Sequence, residues 1–89
     1  MKIYDYKGKP NIAGERIREA REAMGLSLRQ LAAKLQVMEV ILEKTAISRI
    51  ERYERFLSDY ELLAFAEVLG VDVMWLLTGK GEGPSANQN

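Results

Sequence analysis

The reading of this chain turns on residues 45–53, TAISRIERY, running from Thr45 to Tyr53. Wound as a helix at about 100° per residue, the segment divides into two faces. Lys44, Thr45, Ser48, Arg49 and Arg52 fall within an arc of about 140°, while Ala46, Ile47, Ile50 and Tyr53 occupy an opposing arc of about 120°. One side is built to lie on a small core. The other presents cations and hydroxyls, the groups that an anionic partner needs.

The helical signal repeats on both sides of this segment. Ala13, Ile17, Ala20 and Met24 form one stripe between Asn11, a candidate N-cap, and Gly25, a stop, which predicts a helix over 12–24. Ser27 and Gln30 make a capping box, and Leu28, Leu31, Ala32 and Leu35 carry the i, i+3, i+4, i+7 spacing of a second, short helix. Residues 37–43, VMEVILE, contain no glycine, proline or asparagine to set a turn and are too apolar for a solvated one, which predicts an ordered, partly buried connection. Beyond residue 53, Ser58 and Glu61 form another capping box ahead of Leu62, Phe65, Ala66 and Leu69, and Gly70 ends that helix. Asp72 is a candidate cap for a last helix ending at Leu77. The closing GKGEGPSANQN has three glycines, a proline and no large apolar residue, which predicts a frayed tail. Five short helices without a strand ladder predict a small all-α domain over 11–79, preceded by an arm at 1–10 and followed by a disordered tail at 80–89.

Composition narrows the chemistry. A chain of 89 residues has room for one domain with a modest core. Without cysteine or histidine it has no disulfide, no thiol chemistry, none of the usual zinc sets and no imidazole-activated nucleophile, so neither an enzyme nor a bound metal or cofactor is expected. No apolar run is long enough for a membrane span, and MKIYDYKGKP lacks the apolar core of a secretory signal, so the expected location is the cytoplasm. The net charge is zero, but it is unevenly spread. Residues 1–55 hold twelve Lys and Arg against eight Asp and Glu, whereas residues 56–89 hold Lys80 alone against five acids. An anion-binding surface therefore belongs to the first part of the chain.

In this order, GERIREAREAMGLSLRQLAAKLQV, AISRIE and DYELLAFAEVLGVDVMWLL resemble the Cro/CI-type, XRE-like helix-turn-helix family. The resemblance implies a compact five-helix, lambda-repressor-like fold and a sequence-specific transcriptional regulator, a repressor that binds a double-stranded DNA operator as a homodimer. It makes the TAISRIERY helix the one that enters the major groove, with Lys44, Thr45, Ser48 and Arg49 as candidate base readers. Arg52 and Arg55 after that helix, and Ser27 and Arg29 at the start of the second, are the candidate phosphate contacts. Arg21 and Glu51 each lie about 40° from the nearest core residue of their helices, where half-buried opposite charges favour each other. In the resembling family an arginine and a glutamate at these positions pair.

The chain departs from the family pattern at three places. Leu28 stands where a phosphate-binding glutamine is common. Arg52-Tyr53 replaces an Asn-Gly stop, and tyrosine tolerates the left-handed cap conformation poorly, so the helix is free to run on. The connection between the second and third helices is longer than usual. Its apolar residues Val37, Met38, Val40, Ile41 and Leu42 are open to two readings: added core, or the contact surface of a protein-interaction module such as an antitoxin or adaptor. Trp75 and its apolar neighbours read as packing, with a dimer seam as a further use. Ile3, Tyr4 and Tyr6 with Lys2, Lys7 and Lys9 form either a basic arm for DNA or a hook packed on the bundle.

Overall fold

Helix boundaries in this protein follow the backbone hydrogen bonds that its side chains can complete. The computed structural model describes residues 5–84, which contain α1 (Gly14–Ala23), α2 (Leu28–Val37), α3 (Lys44–Glu51), α4 (Asp59–Leu69) and α5 (Val73–Thr78). Lys2, Ile3 and Tyr4 of the arm, and residues 85–89 of the tail, lie outside the described residues. Both capping boxes form: the Ser27 and Ser58 hydroxyls accept the amides of Gln30 and Glu61, whose side chains accept the serine amides in return. Asn11 does not sit at the N-cap of α1, which begins later than residue 12. It caps from further upstream, its Oδ1 accepting the amides of Ala13 at 3.0 Å and Gly14 at 2.8 Å.

Four helices end on the same device, a left-handed residue whose own amide and the next one close the last carbonyls. Gly25 and Gly70 do this for α1 and α4. Glu39 does it for α2 at φ 64°, and Tyr53 for α3 at φ 64°. The third helix therefore does not run on. The Tyr53 amide donates to the Ile50 carbonyl at 3.1 Å and the Glu54 amide to the Arg49 carbonyl at 2.7 Å, so α3 ends at Glu51. A left-handed L-residue costs about 1–2 kcal/mol, which the satisfied carbonyls and the packing around each turn offset.

Every helix contributes to one core, in which Ile17, Leu31, Leu35, Ile47, Ile50, Phe65 and Leu76 are fully buried. Filling such a site is worth about 1.5–3 kcal/mol per large side chain. α3 lies across α1 and α2, and α4 backs α1, α2 and α5. The long α2–α3 connection is divided between the two readings: Val40 and Leu42 enter the core, whereas Val37 and Ile41 are 84% and 71% exposed. Met24, expected on the stripe of α1, is exposed because the helix has already stopped beneath it.

Both ends of the described chain are held to the bundle, at residues 80–84 where fraying was expected and at the arm, which was open to use as a DNA arm or a packed hook. The Asp72 carboxylate does not cap α5; it accepts the Glu82 amide at 2.9 Å, and the Asp72 amide donates to the Glu82 carbonyl at 3.0 Å. These bonds return residues 80–84 over Trp75, and a Cβ at Gly83 would lie 2.6 Å from the indole. At the other end, Tyr6 and Lys9 exchange two backbone hydrogen bonds around Lys7 and Gly8, both at positive φ, in a minimal two-residue hairpin. The Lys9 ammonium stands over the Tyr53 ring, 4.3 Å from its centroid, so this part of the arm is fastened to the end of α3.

Gly14 has a packing role of its own. A Cβ there would run into the Ile50 carbonyl oxygen and stand 3.0 Å from that of Glu51. Only a residue without a side chain lets the start of α1 meet the end of α3 this closely. Gly14→Ala is predicted to destabilise the protein by about 1–3 kcal/mol, in the range of other overpacked sites, despite the better helix propensity of alanine. Urea unfolding followed by circular dichroism measures it.

Candidate nucleic-acid interface

The placement of α3 rests on three connections to α1, all near its C-terminal end. Gly14 permits the close backbone approach. Asn11 donates through Nδ2 to the carbonyls of Ile50 at 3.1 Å and Arg55 at 2.9 Å, and so holds the helix end and the chain that leaves it. Arg21 meets Glu51 in a two-pronged pair, Nε to Oε2 at 2.7 Å and Nη2 to Oε1 at 3.0 Å, and its Nη1 donates to the Leu26 carbonyl at 2.9 Å. The two side chains are only 12% and 5% exposed. The hydrogen bonds that Arg21 donates to Glu51 raise the arginine pKa above its ordinary value, outweighing the burial that opposes it.

With Ile47 and Ile50 in the core, the opposite side of α3 faces solvent. Lys44, Thr45 and Arg49 are exposed, and Ser48 is half-buried at the edge of their arc. Arg49 Nη2 donates to the Glu54 carbonyl at 3.3 Å, and Arg52 Nη2 to Glu54 Oε1 at 3.0 Å. Ser27 and Arg29 are exposed at the start of α2, the serine hydroxyl accepting the Gln30 amide within the capping box. Arg55 differs from the other expected phosphate contacts, because it is drawn inward. Its Nη1 donates to the Phe56 carbonyl at 2.9 Å and to Glu61 at 3.1 Å, and its guanidinium covers the Phe56 ring.

Four residues of this region have tertiary contacts that the sequence reading did not assign. Gly14 had a signal, an isolated glycine in a helix-forming run. Asn11 was legible as a cap and not as a tie to α3, since its other partners are backbone carbonyls. Glu61 was assigned to the capping box alone, although the same carboxylate also receives Arg55. Glu54 had no signal, because its neighbours are set by the left-handed turn at Tyr53.

Burial pushes the Glu61 carboxyl upward, but the hydrogen bonds from Arg55 and the Ser58 amide outweigh it and hold the pKa below its ordinary value. A carboxylate whose folded value is depressed stabilises the fold above the unfolded value of about 4.3, and that contribution is lost as pH falls through the lower folded value. Glu61→Gln is predicted to flatten the acid limb of a plot of melting temperature against pH below about 4.3. Glu51→Ala, which leaves the Arg21 charge partly buried and unpaired, is predicted to cost about 3–5 kcal/mol at neutral pH, measured by denaturant unfolding.

Among the described residues no helix is long and apolar enough to cross a membrane, and no cluster of acidic side chains could hold a metal ion. A family model described as helix-turn-helix matches residues 17–76, more than half of the chain and the whole span from the middle of α1 into α5. No curated protein and no solved structure matches it. The order of helices, the docking of the third on the first two and this match agree, and the chain belongs to the Cro/CI-type, XRE-like family of helix-turn-helix DNA-binding regulatory domains.

Proposed function

We propose that the protein is a sequence-specific transcriptional repressor that lays α3 in the major groove of a duplex operator. Membership of the family supports a DNA-binding regulator in general. The observation that carries the finer reading is the exposed arc of Lys44, Thr45 and Arg49 on a helix whose other side is immobilised in the core. Lysine and arginine donate to the O6 and N7 acceptors of guanine, and threonine meets thymine through its methyl or adenine through its hydroxyl. Ser48 reaches less far and reads only a base edge brought close to the helix. Ser27, Arg29 and Arg52 hold the phosphates on either side. Arg55 acts differently, positioning the chain after α3 through Glu61 and reaching a phosphate only at the expense of that pair. Two copies bind a symmetric operator, with half-sites about 34 Å apart along one face of the duplex, in the cytoplasm of a prokaryotic cell.

A second reading is favoured by one observation. Val37 and Ile41 stand out from the α2–α3 connection, and Ile41 borders a groove shared with Arg29, Ala33 and Gln36 of α2. As an antitoxin- or adaptor-like module, the protein would seat an apolar side chain of its partner there. The two readings differ in their response to salt. DNA binding loses affinity with a log–log slope of about −0.9 per phosphate neutralised, whereas an apolar protein interface responds weakly.

Selection of bound duplexes from a random pool tests the reading directly. A motif repeated about one helical turn apart is the expected product; failure to enrich any sequence at low salt would overturn the repressor reading. On the selected duplex, Arg49→Ala is predicted to cost about 1–3 kcal/mol of discrimination at one base position. Equal weakening on all sequences would make Arg49 a phosphate contact instead.

A further inference from the structure

We propose that Glu54 is a positioning residue of the DNA-facing surface, which holds Arg49 in its reading orientation and occupies Arg52 until a phosphate displaces its carboxylate, and so limits attachment to DNA at large. The inference rests on the reading of α3 as the helix that contacts DNA.

Glu54 engages both Arg49 on the outward side of α3 and Arg52 at its C-cap. The left-handed turn at Tyr53 doubles the chain back, so that the Glu54 amide closes the Arg49 carbonyl at 2.7 Å while its own carbonyl accepts Arg49 Nη2 at 3.3 Å. The carboxylate Oε1 accepts Arg52 Nη2 at 3.0 Å. Stability does not account for this arrangement. The Arg52 and Glu54 side chains are 56% and 52% exposed, and pairs in that setting contribute little to folding. The turn that creates it uses tyrosine where glycine or asparagine would be less strained, and it is held from both sides, by the Lys9 ammonium on the Tyr53 ring and by Asn11 on the carbonyls of Ile50 and Arg55.

The chemistry of the two contacts differs. A carboxylate and a phosphate offer a guanidinium the same kind of acceptor, so an Arg52–phosphate contact forms by exchange and gains less than it would from a free side chain. Arg49 is held instead by a neutral carbonyl, which aims the guanidinium without cancelling its charge. Random-sequence DNA, which relies on phosphates, is penalised by the exchange. An operator carries the same exchange penalty and offsets it with base contacts from an already aimed Arg49. With 13 basic and 13 acidic residues in the chain, local placement of acids rather than net charge has to set this balance.

The test uses the full chain, a random-sequence duplex and the duplex selected by the wild-type protein. Glu54→Gln keeps the backbone contact to Arg49 and removes the charge facing Arg52. The expected result is severalfold tighter binding to the random-sequence and the selected duplex alike, with a log–log salt slope steeper by about 0.9. In an Arg52→Ala background the same substitution is expected to leave the slope unchanged. Glu43→Gln, which removes an exposed charge at the N-cap of α3, is the control for net charge: its effect should persist without Arg52. Equal slopes for wild type and Glu54→Gln, or a Glu54→Gln effect of the same size with and without Arg52, would overturn the inference while leaving the DNA reading intact. Failure of the wild-type protein to bind any duplex would overturn both.

Discussion

The buried pair between Arg21 and Glu51 is the constraint on which the rest of the arrangement depends. A short helix such as α3, with Ile47 and Ile50 as its fully buried anchors, can roll or slide on a greasy surface without losing much apolar contact. Two charges taken out of water tolerate no such freedom, since separation leaves each unpaired in a poor solvent. The two-pronged geometry adds direction, because a guanidinium and a carboxylate meet well in few orientations. The pair is thus better understood as fixing the rotation of α3 than as a source of net stability. Which side chains of α3 face outward is decided by it.

Around that pair the start of α1 and the residue that caps it supply two further restraints on the backbone of α3 and the chain after it. Gly14 lets α1 approach the last carbonyls of α3, and Asn11 saturates one of them while reaching the Arg55 carbonyl beyond. The end of a helix leaves carbonyls without partners, and here those carbonyls become the attachment points. The left-handed turn at Tyr53 completes the closure, and Lys9 from the N-terminal hairpin lies over it. The far end of α3 is therefore crowded and fixed, while its N-terminal turn, with Lys44 and Thr45, stands free in solvent. That polarity matches the proposed use, in which the N-terminal residues of the helix meet base edges.

What the sequence disclosed depended on how local the determining interaction was. The starts of α2 and α4 were legible because Ser27 with Gln30, and Ser58 with Glu61, complete their hydrogen bonds within one turn. The stops at Gly25 and Gly70 were legible because glycine favours the required conformation. Those at Glu39 and Tyr53 were not, since neither residue favours a left-handed φ and the choice falls to tertiary contacts: the burial of Val40 after one, the clasp of Lys9 on the other. The Arg21–Glu51 pair could be anticipated from helix angles, whereas the inward turn of Arg55 could not, because proximity in sequence to α3 suggested solvent and Glu61 already had a partner in its serine. Residues 80–84 at the start of the tail depart from the expected fraying for a related reason. Glycines that resemble a flexible linker also let backbone lie flat on an aromatic ring, as Gly83 does on Trp75.

The central claim is that the side of α3 fixed outward by Arg21 and Glu51 meets DNA from the major groove. Dimethyl sulfate protection on a selected duplex tests it most directly, because the reagent methylates guanine N7 in the major groove and adenine N3 in the minor groove. The account predicts protection of guanine N7 within each half-site, lost at one position in Arg49→Ala. Protection confined to adenine N3, or none on a duplex that the protein demonstrably binds, would contradict it.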